Sequence, residues 1–421
     1  MKRVLTVFLL VLTLIPLLAC SSPAQKFMDQ GDSYFVQQKW DEAISEYTKA
    51  LDENPELALA YSKRGQAYAA KEDLNSALSD FNKALELNPK LIEAYSRRAA
   101  IYHAQGQWDL ALGDLNKVIE LDPNLASAYS NRGWTYASKG ELDLALADLD
   151  KAIQLDPNLD EAYYNRGLVY NNKGNWDKGI ADLTRAIELD PTNYTAYNDR
   201  GSAYTYTGKF DLAIIDLNKA IELRPDYALA YLNRGNVYTE QGQPEKAMAD
   251  LNKAIEIEPG FVTAQQALAE LYASRGYGYR VSEQNDLAEA DLKKAIELSP
   301  NLAVAYFQLG SLYNFNGQFD LAITNLSKAV ELEPGLASYY VNRAYSYLGT
   351  GELDKAIADY SKAIELDQTY ALAYYNRGLA YYNVGATDKA VADLNKAIQL
   401  SNDPDLTTTA QDRLSEIQGH E

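Results

Sequence analysis

The chain of 421 residues contains one cysteine, two histidines and three methionines, and sets 39 lysines and arginines against 59 aspartates and glutamates. Each shortage excludes something. A single thiol allows no disulfide within the chain, so packing alone must hold the fold. His103 and His420 have no Cys or His partner at metal-ligand spacing, which removes the common zinc arrangements. A net charge of −20 makes nucleic acid a poor partner, because phosphate binding needs clustered lysine and arginine. The stretch "RGYGYR" offers only G-x-G, lacks a third glycine and follows no strand, so it is no dinucleotide loop. Asp148 and Asp150 fall within a helical periodicity rather than a glycine-turned calcium loop. No nucleophile has a base and an orienting group beside it. Neither an enzyme nor a small-molecule cofactor is expected.

What is abundant is tyrosine, at 33 residues. Tyr34, Tyr68, Tyr102, Tyr136, Tyr170, Tyr204, Tyr238 and Tyr272 stand 34 residues apart; after a seven-residue offset the series resumes at Tyr313, Tyr347 and Tyr381. A second series stands seven residues earlier, from Tyr61 and Tyr95 to Tyr374. A fixed period of this size marks a repeat architecture in which each unit buries its apolar face against its neighbours. In the unit Asp160 to Asn193, Tyr163, Gly167 and Tyr170 share one face of a first helix, and Gly174 ends it. Trp176 and Asp177 open a second helix with the apolar stripe Ile180, Leu183, Ala186 and Ile187, and Asp190-Pro191 stops it. Gly167 lets the two helices approach closely. Eleven such units are expected over residues 24–404, followed by a capping helix and tail over 405–421 with Leu406, Ala410, Leu414 and Ile417 on its covering face.

Arginine recurs in phase with the tyrosines, at Arg64, Arg98, Arg132, Arg166, Arg200, Arg234, Arg343 and Arg377, and an aspartate stands sixteen residues after each. In an antiparallel helix pair the two positions face one another, which predicts structural ion pairs. Where the arginine is Leu309, the sixteenth residue on is Asn325; Leu268 with Asp291 breaks the rule. Asn131, Asn165, Asn233, Asn342 and Asn376 stand one residue before an arginine and have no recurring partner; Asp199, Ala267 and Gln308 interrupt them. One unit is irregular. It has Gln265, Leu268 and Ala269 where others favour Tyr, Arg and Gly, and after Gly276 comes "YGYRVSEQN", which runs seven residues beyond the usual turn. The insertion, near 277–283, reads either as a tolerated surface insertion or as a projecting contact loop led by Tyr277, Tyr279 and Arg280 that divides the repeat array.

These units resemble the tetratricopeptide repeat (TPR), a 34-residue helix-turn-helix motif. The resemblance implies an all-α solenoid, a right-handed superhelix of eleven repeats plus the C-terminal cap. It also places the asparagines on the concave inner surface, where in some long members of the family an asparagine ladder binds the main chain of an extended peptide. Each carboxamide offers donor and acceptor to such a chain. The alternative is a solvated helix face or hydrogen bonding inside the stack. Trp134, Tyr164, Asn171, Tyr375 and Tyr382 would share this lining, which lacks the lysines of chaperone-docking members.

The N-terminus reads as a targeting segment. Lys2 and Arg3 precede an apolar run, Val4 to Leu18, that is too short to span a membrane. It ends in "LLAC", which resembles the bacterial lipobox and makes Cys20, the only cysteine, a lipidation site after a signal peptide over residues 1–19. An ordinary secretory signal with a free thiol is the alternative. Residues 20–23 would then be a short tether, holding the protein on the extracytoplasmic face of a bacterial membrane, compatible with the outer membrane. The function expected is a membrane-anchored scaffold that binds an extended peptide or partner protein during envelope complex assembly; the alternative is a lipoprotein binding cell-wall glycan.

Overall fold

A computed structural model describes residues 22–419. Residues 1–19, where a signal peptide is expected, lie outside the described residues, as do Cys20 and His420. Among the described residues there are twenty-three α-helices and no strand. The chain divides into two compact units, one ending at Thr207 and the other beginning at Gly208. The division therefore does not fall at the irregular repeat.

In the first unit, α1 (Pro23–Val36) pairs with α2 (Trp40–Glu53), α3 (Ala58–Ala70) with α4 (Leu74–Leu87), α5 (Ile92–Ala104) with α6 (Trp108–Leu121), α7 (Ala126–Lys139) with α8 (Leu142–Leu155), and α9 (Asp160–Asn172) with α10 (Trp176–Leu189). Helix α11 (Tyr194–Tyr206) ends this unit. The second unit opens with α12 (Phe210–Leu223). It continues through the pairs α13 (Ala228–Glu240) with α14 (Pro244–Ile257), α15 (Val262–Val281) with α16 (Asn285–Leu298), α17 (Ala303–Phe315) with α18 (Phe319–Leu332), α19 (Ala337–Gly349) with α20 (Leu353–Leu366), and α21 (Ala371–Asn383) with α22 (Thr387–Leu400). Helix α23 (Pro404–Gly419) packs on α22, burying Ala410 and Ile417.

Local chemistry accounts for each pair. At the end of α9, Gly174 takes a positive φ of 71°, and the Asn175 N–H reaches back to the Tyr170 carbonyl at 2.8 Å, which ties off the helix end. Helix α10 ends at Asp190, extended ahead of Pro191 as a residue before proline prefers. Gly167 is needed for contact: a Cβ there would lie 2.9 Å from Leu183 Cγ and 3.2 Å from the Gly179 carbonyl oxygen. The core of each repeat is small and local. Phe81, Leu149, Leu183, Leu217, Leu251, Leu292, Leu326, Tyr360 and Leu394 occupy the same place on successive second helices and are fully buried.

The irregular repeat corrects the sequence expectation. The extra residues form no loop. Helix α15 has 20 residues where its counterparts have 13 or 14, so they add two turns, about 10 Å of helix. The repeat's own register is restored within "YASRGYGY": Gly276 meets Leu292 Cγ at 2.9 Å as Gly167 meets Leu183, and Tyr279 is packed in the core beside Leu292 and Leu312. The insertion therefore lies before Tyr272, where Ala264 and Leu268 pack against Met248 and Leu251 of the preceding repeat. Tyr279, not Tyr272, continues the tyrosine series. Both readings of a surface loop at 277–283 fail for one reason: seven residues are close to two turns of helix, so they lengthen a helix without rotating its apolar face.

Candidate functional site

The arginines form a repeated clamp. Arg132 donates to Asp148 through Nε at 2.6 Å and Nη2 at 2.8 Å. Its Nη1 donates to Asn116 on the second helix of the preceding repeat at 2.7 Å. Its guanidinium carbon lies 5.5 Å from the Tyr129 ring centroid. The same two-pronged bond joins Arg64 to Asp80, Arg98 to Asp114, Arg166 to Asp182, Arg234 to Asp250, Arg343 to Asp359 and Arg377 to Asp393. In several repeats the two tyrosine series flank one guanidinium, as Tyr61 and Tyr68 flank Arg64. Each clamp thus ties a first helix to its own second helix and to the one before it. Hydrogen bonding to Asp182 pushes the pKa of Arg166 up further, so the cation is permanent.

Asp291 does not break the rule. Its partner is Arg275, at 2.6 and 2.9 Å, with Tyr272 and Tyr279 beside the guanidinium. The sequence signal was the spacing Y-x-x-R-G-x-x-Y within "YASRGYGY", sixteen residues before Asp291. It follows that Ser274, not Ala267, takes the asparagine place in that repeat. Where Leu309 replaces arginine, Asn325 turns its amide to the Leu321 carbonyl of its own helix at 2.8 Å.

The five asparagines are not one equivalent set. Asn131 is exposed and Asn376 half-buried, and neither side chain makes a hydrogen bond among the described residues. Asn165 donates to Ser130 on α7 at 3.3 Å. Asn342 donates to the Ser338 carbonyl at 2.9 Å, and Ser311 on α17 donates to its carboxamide oxygen at 3.4 Å. Asn233 is half-buried and already engaged. Bonding between first helices thus takes up part of the ladder. Asp199, at the interrupted rung, accepts from the Tyr164 hydroxyl at 2.8 Å and from Asn198 at 3.0 Å. Burial pushes its pKa above the usual carboxylate value, against those two bonds.

Other lining residues divide in the same way. Trp134 and Tyr382 are open, at 36% and 42% exposed. Tyr164 bridges to α11 through Asp199, and Tyr375 is half-buried against the core formed with α23. The Asn171 carboxamide oxygen is buried without a hydrogen-bond partner, 1.9 Å from where a Cβ on Gly179 would stand. It has turned inward, and the glycine that replaces the usual alanine makes the room. Tyr277 sits in α15 two residues after the clamp arginine, as Trp134 and Tyr345 do in theirs, and is 48% exposed. Arg280 lies over the Tyr277 ring at 5.0 Å. These are first-helix residues, not the tip of a loop.

His103, which has no Cys or His partner at metal-ligand spacing in the sequence, is held between α5 and α7. Its Nδ1 lies 3.2 Å from the Thr135 hydroxyl, which donates to the Asn131 carbonyl at 2.7 Å. The hydroxyl proton is thereby used, so Nδ1 donates and Nε2 accepts from Ser138 at 3.5 Å. The same positions recur between α17 and α19. There Asn314 donates to the Asn342 carbonyl at 3.0 Å, and Ser346 donates to Asn314 at 2.6 Å.

Helix pairs that recur every 34 residues, most of them carrying the arginine clamp, define an all-α repeat protein. Models described as TPR repeat match residues 31–72, 65–106, 99–140, 133–174, 201–242 and 346–385. Those described as tetratricopeptide repeat match 160–193, 228–261, 371–403 and 292–324. Together they cover well over half of the chain, which belongs to the tetratricopeptide repeat family. No curated protein matches it. Among solved structures, a tetratricopeptide repeat protein from Parabacteroides merdae is similar at 21% identity and a TM-score of 0.50, covering 59% of this chain and 98% of its own. YrrB, described as a TPR protein with an unusual peptide-binding site, is 28% identical with a TM-score of 0.36, over 44% of this chain and 96% of its own. MamA is 32% identical with a TM-score of 0.35, over 40% of this chain and 94% of its own. The repeats are those of a protein-interaction scaffold, and the fold is typically non-enzymatic. No helix among the described residues is long and apolar enough to cross a membrane.

Proposed function

We propose that the chain is a membrane-anchored, extracytoplasmic scaffold whose first-helix faces bind an extended segment of a partner protein during assembly of an envelope complex. The observation that carries this reading is the contrast between the two kinds of helix surface. Lysine and glutamate pair three residues apart along the second helices, as at Lys117 with Glu120 and Lys253 with Glu256. On the first helices the exposed side chains include amides and rings. In the unit ending at Thr207 these are Asn131 and Trp134; in the unit beginning at Gly208 they are Tyr277, Phe315, Tyr345 and Tyr382. Amides satisfy a peptide main chain without reading its sequence, and rings supply contact area at low entropic cost. The lipid anchor at Cys20 rests on the lipobox resemblance and on its being the one cysteine. The N-cap Ser22, which accepts from the Gln25 N–H at 3.1 Å, starts α1 two residues later.

Crosslinking the native protein in membranes, followed by mass spectrometry, tests the scaffold. A discrete protein partner that disappears when Asn131, Asn165, Asn233, Asn342 and Asn376 are all changed to alanine, with helicity retained, supports peptide binding through these faces. A partner that survives the change refutes it. The same open rings suit sugar stacking. Retention on purified cell wall without any protein partner would transfer the reading to a glycan-binding lipoprotein.

A further inference from the structure

Between α5, α6 and α7 lies a cavity of about 160 Å³, lined by Ser96, Ala100 and His103 on α5, Leu115 on α6, and Asn131 and Trp134 on α7. It exists because α5 presents small residues where it passes Trp134. The His103 ring stacks on the indole, with centroids 6.1 Å apart at 30°. Burial lowers the His103 pKa, so the ring that walls the cavity is neutral at neutral pH. Its two nitrogens are turned to Thr135 and Ser138, which leaves the ring face as the wall. No charged side chain lines the space.

We propose that this cavity is a specificity pocket that seats one large apolar side chain of a bound extended peptide, while the Asn131 carboxamide holds the peptide main chain at the rim. The proposal rests on the peptide-binding reading above and adds what that peptide must carry. Size supports it, because an apolar cavity of about 150 Å³ takes a benzene-sized group. Chemistry supports it too. A lysine or arginine side chain would lose its hydration and find no carboxylate in the lining. A carboxylate would enter an uncharged pocket on a chain of net charge −20. Asn131 stands three residues before Trp134, on the same helix face, with no other hydrogen bond to break.

The test uses the full chain and two probes. The first is N-acetylphenylalaninamide, one apolar side chain between two amides, titrated by NMR with N-acetylglycinamide as control. The second is a displayed library of random heptapeptides. Ala100 is exposed, so Ala100→Trp fills the cavity without entering the core; circular dichroism checks the fold. Saturable binding of the phenylalanine probe, weakened tenfold or more in Ala100→Trp and also weakened in Asn131→Ala, is the expected result. Selected peptides should share one large apolar position that Ala100→Trp no longer selects. Equal binding of either probe to wild type and Ala100→Trp overturns the pocket. If peptides are selected with no apolar preference, the pocket fails while the peptide reading stands. If no peptide is selected but the phenylalanine probe binds the wild type alone, the peptide reading fails and the peptide-anchoring proposal with it.

Discussion

The clamp between Arg132 and Asp148 predicts an asymmetry that a simple count of interactions would miss. Asp148 is 8% exposed, and the Arg132 side chain is 18% exposed. Changing Asp148 to Asn keeps the volume but leaves a guanidinium between Tyr129, Asn116 and the helix pair with no carboxylate. Removing one member of a buried pair costs about 3 kcal/mol or more, because the other charge stays desolvated and unpaired. Changing both residues, Arg132→Leu with Asp148→Asn, removes the charge as well. This combination already exists in the chain as Leu309 with Asn325, where Leu309 is 3% exposed and fully packed. The double variant should therefore cost about 1 kcal/mol or less, since an apolar replacement of a buried pair is close to neutral. The gap between Asp148→Asn alone and the double variant, roughly 2 kcal/mol, is what decides the matter. A solenoid does not unfold as one two-state unit, so global melting would blur the effect. Hydrogen exchange of the α7 and α8 amides is the direct readout, with urea unfolding by circular dichroism as a check. A double variant as unstable as Asp148→Asn alone would refute the reasoning and show that the clamp acts through its bonds rather than by neutralising a buried charge.

Asp199 predicts a pH dependence. Its pKa is raised in the folded state, so the folded chain binds more protons than the unfolded one between the two values. Its contribution to stability is present at low pH and is lost as pH rises through the folded pKa. Asp199→Asn should raise stability at pH 7 and flatten that part of the urea-midpoint profile; an unchanged profile would contradict the assignment. Gly179→Ala should push the Asn171 carboxamide outward, end its burial without a partner, and add about 1 kcal/mol from helix propensity. Loss of stability by urea unfolding would show instead that the inward Asn171 is required. Cys20→Ser should move the protein from the membrane to the soluble fraction and abolish metabolic labelling with a palmitate analogue; retained labelling would exclude the lipobox reading.

Much of this molecule is written locally. The 34-residue period, the glycine that ends most first helices and the proline that follows most second helices specify helix pairs with no reference to distant residues, because each repeat meets little beyond its neighbours. The arginine–aspartate spacing of sixteen was legible for the same reason: a fixed hairpin converts a sequence interval into a distance. That logic placed Asp291 correctly only once its true partner, Arg275, was recognised. The sequence showed that seven residues had been added but not where, since two helical turns leave the apolar pattern in phase on either side. Packing decided it, through Gly276 against Leu292 and Leu268 against Met248. Side-chain direction was likewise beyond the sequence. Identical Asn-Arg dipeptides leave Asn131 open, tie Asn165 to Ser130 and turn Asn342 to its own helix, because the adjoining first helix offers each a different surface. The pocket beside His103 exists only where small residues on one helix pass an indole on the next, a relation between repeats that no single repeat contains.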